Sequence, residues 1–596
     1  MRIYYIIAIL ISVGIFNSCS GLFTNQTREY PDADTYARLF PVKNNVYGTY
    51  LAGRLAHIRQ DYSSAANYYI KSMNLGADDP ELASKIYLLL ASEGRVKEAA
   101  VYAKMALENN EKNNFIHFIL LVEAAKNNQP ETVHKHIQAI TDKAYKEAIA
   151  PLFKAWAFVA ENNKEKALES LEVLKKDKGL HSFYYMHRGM INDYFKDSES
   201  AQNDFKTIIE NENLELSFRS LQIITNFYIR NSQEQFAQDL ILKYQNKNKQ
   251  AQMLNELLKV TKTLNKNNTQ QLIDTPQKGL SEAIFNIGTV FRNYQNDIAQ
   301  IFTSLSLYLN PKNEAAAISL ANLLEGSKRT DDAIRQYRNI SKESPLYFMA
   351  NLKIATIYIE QGNTEQSLDE LKRLSKQHPN DYNILFNLGE INRMSGNNAD
   401  AIKYYNLALE NLPKSINGDW TIYYALGVAY ERNNQWNKAE EILQHALKIS
   451  NRHPYILNFL GYSWLEHNKN YNEALYMIFE AYQQNPESGH IMDSLGWALY
   501  RMGKYDDAIA LLEKAAEYLP ANAIVCDHLG DVYWVAGRKS EAKHQWKHAL
   551  TLKEDSENVN KELIHKKIQN GIEKPAAIIF NEALLIQRLK TLKTSE

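Results

Sequence analysis

Residues 490–520 read HIMDSLGWALYRMGKYDDAIALLEKAAEYLP, and this stretch decides the fold. Apolar residues recur at intervals of three and four on both sides of Gly503, which is typical of two short amphipathic helices. Gly496 and Ala508 are small where the two helices cross, because larger side chains there would hold the backbones apart. Pro520 ends the second helix, since its nitrogen has no hydrogen to donate. The stretch therefore predicts one helical hairpin.

The same hairpin pattern returns several times in the C-terminal half of the chain. Each copy has a Leu-Gly pair, followed about twelve residues later by an alanine, a large apolar residue and a second alanine. Most copies are 34 or 35 residues apart, and this period indicates hairpins stacked in tandem, each burying its apolar face against its neighbours. The Leu-Gly pairs are Leu388-Gly389, Leu426-Gly427, Leu460-Gly461, Leu495-Gly496 and Leu529-Gly530.

This pattern resembles the tetratricopeptide repeat, in which Leu-Gly and two alanines occupy the contact between the helices of one hairpin. The resemblance covers most of residues 44–553 and is most specific in residues 383–553. It implies an all-α superhelical solenoid made of two arrays of helical hairpins. It also implies a protein that binds other proteins or peptides and is not an enzyme.

The quality of the copies predicts how the chain is organised. A degenerate array is expected at residues 44–243, followed by an irregular join at 244–280, where Asn, Lys and Gln are frequent and the period is lost. A divergent hairpin around Met253 to Leu264 is the alternative for this join. The second array is expected at residues 281–553, and capping helices are expected at 554–596.

The C-terminal tail carries two apolar stripes with helical spacing. The first includes Leu563, Ile564 and Ile568, and the second, after Pro575, begins with Ile578 and Ile579. Two amphipathic helices at this place would cover the open end of the last repeat, which aggregates when it is exposed. The alternative is that a partner or a membrane surface docks on the tail.

The N-terminus predicts export. An apolar run from Ile3 to Phe16 is shorter than the roughly 20 residues that span a bilayer, so residues 1–18 are predicted to be a signal peptide. The sequence Phe16-Asn17-Ser18-Cys19 resembles a lipobox, although Phe16 and Asn17 depart from its usual residues. The resemblance implies lipidation of Cys19 and membrane attachment through this lipid, with residues 19–43 as a tether. Cleavage by ordinary signal peptidase is the alternative.

These N-terminal features, together with the repeats, resemble those of exported bacterial lipoproteins built from tetratricopeptide repeats. The resemblance implies an outer-membrane lipoprotein that faces the periplasm, because Ser20 behind the cysteine lacks the Asp that marks retention in the inner membrane. An inner-membrane protein and a soluble periplasmic protein are the alternatives.

The charge balance and the motifs narrow the function. The chain has 68 basic and 69 acidic residues, a net charge of −1, which disfavours nucleic acid as a partner. The sequence has no phosphate-binding glycine loop, no dinucleotide-binding motif, no HExxH and no GxSxG. No cofactor, no small-molecule substrate and no catalytic residue are therefore predicted.

The candidate ligands for a zinc site are Cys526, His528, His544 and His548. Two of these residues, His544 and His548, are four apart and share one helix face. The two helices of a repeat turn these positions toward different surfaces, whereas zinc needs four converging ligands. The sequence therefore predicts no metal site.

A concave groove is the predicted binding site. In this repeat family the first helix of each hairpin lines the groove, and its residues that are not used for packing are available to a ligand. Aromatic residues alternating with arginine and acids suit a peptide or a helix. Packing between helices is the alternative role for each of them. The predicted groove residues are Phe386, Glu390, Arg393, Tyr424, Arg432, Asn458, Tyr462, Trp497, Tyr500, Arg501, Asp531 and Trp534.

Together these observations predict a non-enzymatic scaffold of the bacterial cell envelope that binds peptide segments or partner proteins. Two alternatives stay open. One is a cytoplasmic or inner-membrane adaptor whose N-terminus is not cleaved. The other is a subunit of an envelope enzyme complex whose active site has no recognisable motif.

Overall fold

A computed structural model describes residues 45–581, except residues 78, 80, 110, 111, 212, 213, 215, 246–250, 293, 413–419 and 553–558. Every regular element within these described ranges is a helix, so the predicted all-α class is confirmed. The predicted signal peptide, Cys19 and the whole predicted tether lie outside the described residues. The helices divide into two compact units at Glu370, inside a helix, and each unit is described by itself.

The helices are numbered in chain order through both units. The first unit contains α1 (Val46–Ile58), α2 (Tyr62–Asn74), α3 (Leu82–Ser92), α4 (Val96–Glu108), α5 (Asn114–Lys126), α6 (Pro130–Gln138), α7 (Ala150–Ala160), α8 (Lys164–Leu171), α9 (His181–Tyr194), α10 (Ser198–Glu210), α11 (Phe218–Arg230), α12 (Glu234–Gln245), α13 (Ala251–Thr263), α14 (Pro276–Phe291), α15 (Asn296–Leu309), α16 (Glu314–Gly326), α17 (Thr330–Arg338) and α18 (Tyr347–Glu360). The division falls in α19 (Thr364–Ser375).

The second unit continues the series of hairpins. It contains α20 (Tyr382–Met394), α21 (Asn398–Glu410), α22 (Trp420–Arg432), α23 (Trp436–Ile449), α24 (Pro454–Glu466), α25 (Tyr471–Gln484), α26 (Gly489–Arg501), α27 (Tyr505–Tyr518), α28 (Ala523–Val535), α29 (Lys539–Thr551) and α30 (Lys561–Asn570). The predicted hairpin at residues 490–520 corresponds to α26 and α27.

A left-handed residue turns the chain between the two helices of almost every hairpin. Such a residue satisfies the last carbonyl groups of the first helix and reverses the chain, and glycine or asparagine adopts this conformation at least cost. The break predicted at Gly503 is one of these turns, with a φ of 77°. The turn residues with positive φ are Gln60, Gly94, Asn128, Asn162, Lys196, Ser232, Lys328, Gly362, Gly396, Asn434, Asn468, Gly503 and Gly537.

The glycine of each Leu-Gly pair lies against the large residue of the second helix. A Cβ at Gly389 would lie 2.5 Å from the ring of Tyr405, and a Cβ at Gly496 would lie 2.6 Å from Leu512. The alanines on either side of the large residue are buried as well, for example Ala508. The sequence spacing therefore marks the contact that holds each hairpin together.

The segment expected as an irregular join contains a regular helix, α13. It packs against α12 and buries Leu254, Leu257 and Thr261. These residues have helical spacing, but the Asn and Lys residues around them hide the period in the sequence. The next helix, α14, begins at Pro276 after the N-cap Thr275, whose hydroxyl oxygen accepts a hydrogen bond from the backbone of Lys278.

Helices α14 and α15 cover the face that the first helices of the N-terminal hairpins form. Helix α14 packs against α7 and α9, and α15 packs against α3 and α5. Gly279 lies against the ring of Trp156, where a Cβ would be 2.2 Å from the indole. Ser304 donates to the carbonyl of Ser92 at 2.8 Å, and Tyr308 donates to Glu123 at 2.6 Å. The chain's own hairpin therefore fills this face.

A buried ion pair joins α11 to the same hairpin. The guanidinium of Arg219 donates to the Glu282 carboxylate at 2.6 Å, and Asn313 donates to the same oxygen at 3.2 Å. Both charged side chains are almost completely buried. Two charges removed from water are stable only as partners, so this pair fixes the position of α14.

The prediction of capping helices can be compared with the structure over only part of the C-terminal tail. The first stripe forms α30, whose Ile564 is buried against the last hairpin. The described start of the second stripe, with Ile578 and Ile579, is not helical. Gly571 ends α30 at a φ of 75°, and Pro575 cannot donate within a helix. The rest of this stripe, residues 582–596, lies outside the described residues.

Candidate functional site

The first helices of the second unit place three rings on one surface, called the inner face here. Tyr462 of α24, Trp497 of α26 and His528 of α28 form this aromatic cluster. The rings of Trp497 and His528 stack at a centroid distance of 4.2 Å and 19° between planes. The centroid of Tyr462 lies 6.4 Å from that of His528. Successive repeats thus bring side chains that are 31 or more residues apart into contact.

The imidazole of His528 is buried and paired with a carboxylate. Its Nδ1 lies 2.9 Å from an oxygen of Asp493, which is on the neighbouring first helix. Burial by itself lowers the pKa of His528, but the charge and hydrogen bond of Asp493, with Asp527 and Asp531 nearby, raise it above the ordinary value. The aromatic cluster therefore contains a histidine that favours the charged form.

A lysine from α30 neutralises the other acids at this end of the inner face. The Nζ of Lys567 donates to Asp527 and to Asp531 at 2.8 Å in each case. Trp546 donates its indole N–H to Asp531 at 2.9 Å. Burial still raises the pKa of Asp531, although the charge of Lys567 lowers it. Helix α30 therefore takes part in the charge balance of the last repeat.

Trp497 is held in place from the preceding repeat. Its indole N–H donates to Glu466 at 2.9 Å, and Arg501 lies 3.5 Å from the same carboxylate. Arg501 also donates to the side chain of Asn468 at 2.9 Å. These bonds and the stacking on His528 hold the indole of Trp497 in one orientation, and its side chain stays half-buried.

The predicted groove residues in α20 are used within their own hairpin. Tyr405 donates its hydroxyl hydrogen to Glu390, and Arg393 donates to the same carboxylate at 2.6 Å. The ring of Phe386 lies 5.7 Å from that of Tyr405. At this end of the inner face, the predicted residues therefore form an ion pair that packs beside two aromatic rings.

Two further predicted groove residues, Tyr424 and Asn458, lie in the middle of the inner face. The ring of Tyr424 lies 5.8 Å from that of Phe459, and burial raises the pKa of Tyr424. The side-chain oxygen of Asn458 is buried, and no hydrogen-bond donor lies within reach among the described residues. Arg432, at the end of α22, is exposed.

Exposure separates the predicted groove residues into three groups. Tyr500 is 4% exposed and Asp531 is 6% exposed, so packing describes these two better than contact with a ligand. The exposed residue is Arg432, and the remaining ones are half-buried: Phe386, Glu390, Arg393, Tyr424, Asn458, Tyr462, Trp497, Arg501 and Trp534.

Sequence reasoning missed the partners of the aromatic cluster. Asp493 and His528 are 35 residues apart, which is one repeat, and this spacing alone indicates adjacent first helices. The sequence predicts only a cap for the segment that contains Lys567. Its role depends on how α30 docks, which the repeat pattern does not contain.

The four candidate zinc ligands do not converge on one point. Cys526 and His528 are buried on α28, whereas His544 and His548 are exposed on α29. Burial raises the pKa of the Cys526 thiol to about 11. Within the described ranges no group of three or more His, Cys, Asp or Glu is arranged to hold a metal ion. None of the helices in these ranges is long and apolar enough to cross a bilayer.

Three parts of the chain match family models described as tetratricopeptide repeat. They cover residues 352–416, 422–454 and 491–522. The repeat type predicted from the Leu-Gly copies is therefore confirmed in these parts.

Among curated proteins, the chain is similar to a TPR repeat-containing protein of Pseudomonas aeruginosa, with 28% identity over 218 residues, 37% of this chain and 36% of that protein. It is also similar to the BBSome complex member BBS4 of Bos taurus, with 28% identity over 168 residues, 28% of this chain and 31% of that protein. The match thus spans about a third of the length of these relatives. The crystal structure of the APC/C hetero-tetramer Cut9-Hcn1 is similar with a TM-score of 0.39 and 14% identity, over 91% of this chain and 99% of that chain.

Proposed function

We propose that the chain is a non-enzymatic scaffold whose inner face in the second unit binds a peptide segment or a partner protein. The observation that carries this proposal is the aromatic cluster, in which the half-buried rings of Tyr462 and Trp497 lie beside the buried His528. Aromatic anchors of this kind provide much of the binding energy of protein interfaces. The corresponding face of the first unit is filled by α14 and α15, so the proposal assigns binding to the second unit.

The charges around the aromatic cluster favour a partner with a basic side chain beside an apolar one. Glu431, Glu466 and Asp493 act electrostatically on the hydroxyl of Tyr462, with Arg501 as the opposing charge. A lysine or arginine of a partner would lie between acids and aromatic rings, which attract cations. Nucleic acid and small-molecule substrates are not part of the proposal.

A crosslinking capture experiment in the native host tests the binding face. Trp497→Ala and Tyr462→Ala together are expected to lose the main captured protein while the circular dichroism spectrum stays helical. Tyr518→Ala is the matched control, because Tyr518 is an exposed tyrosine on the second helix α27. Unchanged capture by the double variant, or equal loss with the control, contradicts the proposal.

We further propose that the protein works in the bacterial cell envelope, with Cys19 lipidated and the repeats in the periplasm at the outer membrane. The N-terminal sequence supports this location through its short apolar run and the cysteine that follows Ser18. Only two cysteines occur in the chain, at positions 19 and 526, so each can be changed in turn. Metabolic labelling of the wild type and of each cysteine variant with a fatty-acid probe tests whether Cys19 is lipidated.

A further inference from the structure

The residues that follow α30 run along the second unit without regular secondary structure. This C-terminal segment, Gly571–Asn581, begins at the last complete hairpin, where the indole N–H of Trp534 donates to the carbonyl of Ile572 at 3.0 Å. The backbone N–H of Ile578 donates to the carbonyl of Arg501 at 2.8 Å. The backbone N–H of Asn581 donates to the side chain of Asn472 at 2.8 Å. The segment therefore crosses three consecutive hairpins, from the last toward earlier ones.

Near the end of the segment, successive side chains alternate in burial. Ile578 is 8% exposed, Ile579 is 94% exposed and Phe580 is half-buried again. The ammonium group of Lys574 lies 4.9 Å from the ring centroid of Tyr505, which attracts a cation. Main-chain bonds for affinity and pockets for alternate side chains are the way in which proteins bind extended peptides.

The surface under the segment consists of the turns and the helix ends of consecutive hairpins. A Cβ at Gly503 would lie 3.5 Å from the Cβ of Ala577, so the backbone approaches closely at that turn. The amine of Lys504 lies 5.8 Å from the ring of Phe580. Arg501 and Trp534, which this surface contains, also belong to the predicted groove residues. The C-terminal segment thus covers the edge of the inner face.

We propose that the surface formed by Arg501, Gly503, Tyr505 and Trp534 is a docking site for an extended peptide, which the C-terminal segment occupies in cis. The external partner is an extended segment with apolar side chains at alternate positions and a nearby lysine, and it binds by displacing the chain's own residues. This proposal goes beyond the binding at the aromatic cluster and does not require it.

Gly571 is the residue that allows the segment to dock. Its φ of 75° and ψ of −165° belong to a region that residues with a Cβ rarely adopt. A Cβ there would lie 1.9 Å from the indole of Trp534. Gly571→Ala is therefore expected to release the segment by a clash with Trp534, while every residue of the docking site keeps its identity.

Fluorescence anisotropy on the full-length protein tests the proposal, with a labelled synthetic peptide of sequence GIEKPAAIIFN as the probe. The tethered segment competes at a high effective concentration in the wild-type protein, so Gly571→Ala is expected to bind the probe about tenfold more tightly or better. A probe with Ile578→Asp is expected to lose binding. A probe with Ile579→Asp is the matched control and is expected to bind as the parent does, because Ile579 faces solvent.

A second variant covers the case in which Gly571→Ala does not fold. Ile578→Asp in the full-length protein removes the buried side chain and leaves the helices untouched, and it is also expected to bind the probe more tightly than the wild type does. Hydrogen exchange of residues 572–581 is expected to become faster in both variants. Equal probe binding by the wild type and the folded variants, or equal binding of the Ile578→Asp and Ile579→Asp probes, overturns the proposal. Trp497→Ala has no expected effect on the probe, so this test is separate from that of the inner face.

Discussion

The indole of Trp497 stacks on the imidazole of His528 at a centroid distance of 4.2 Å. Asp493, which is on α26 with Trp497, lies 2.9 Å from Nδ1 of the same imidazole. A tryptophan face is a good partner for a cation, and the raised pKa of His528 favours its charged form. This contact joins α26 to α28 through a histidine whose pKa is raised above its ordinary value. Its strength therefore depends on pH.

The first prediction concerns the stability of the second unit between pH 6 and 9. The folded pKa of His528 lies above its ordinary value of 6.5, so its stabilising contribution is complete below that pH and is lost as the pH rises through the folded pKa. We expect the difference in melting temperature between the wild type and Asp493→Asn to shrink over this rise. A difference that grows with pH contradicts the assignment. Subtracting the variant also removes the contribution of the other histidines.

The second prediction concerns close packing at the Leu-Gly pairs. In Gly496→Ala the new methyl group meets Leu512 at 2.6 Å, and we expect a loss of about 1–3 kcal/mol in the free energy of unfolding. Gly326→Ala is the matched control, because no atom lies within 4 Å of the new Cβ. Alanine there is expected to leave stability unchanged or to raise it slightly, since alanine favours helix. Urea denaturation measures both.

The third prediction concerns the buried pair of Arg219 and Glu282. Arg219→Met leaves the carboxylate without its charged partner in an almost dry site, and we expect a loss of about 3–5 kcal/mol. The double variant Arg219→Met with Glu282→Leu is expected to recover most of this loss, because no charge remains buried. A double variant that is less stable than the single one would show that the pair has another role.

The fourth prediction concerns lipidation. Metabolic labelling with a fatty-acid probe is expected to mark the wild-type protein and Cys526→Ala, but not Cys19→Ala. Cys526 is buried on α28 and its pKa is raised to about 11, so its thiol is a poor nucleophile. Labelling that persists in Cys19→Ala removes the lipoprotein proposal, whereas the binding proposal for the inner face is unaffected.

The hairpins could be predicted from the sequence because their contacts are local. Gly496 and Leu512 are sixteen residues apart, and their contact repeats with each copy, so periodicity reveals it. The aromatic residues on the first helices were also found, because the pattern assigns the positions that packing does not require. It could not separate Trp497 from the buried Tyr500, since both have the same apolar character.

Contacts between distant parts of the chain were not predictable from the repeat. The bond between Ser304 and Ser92 joins residues 212 apart, and neither residue differs in type from an ordinary surface serine. The prediction of a second helical stripe also used apolar residues beyond Asn581, and these lie outside the described residues. In the described part, the backbone N–H of Ile578 donates to the carbonyl of Arg501, a contact that the repeat pattern does not contain.

The hairpin α14–α15 changes how the first unit must fold. Solenoids ordinarily gain stability one repeat at a time, because each repeat contacts only its neighbours. Here α3 to α9 keep an apolar face exposed until residues 276–309 have been synthesised. These later residues then form contacts with residues that are distant in the sequence, and such contacts slow folding. The first unit should therefore unfold as a single cooperative block, and nascent chains that end before α15 should require chaperones.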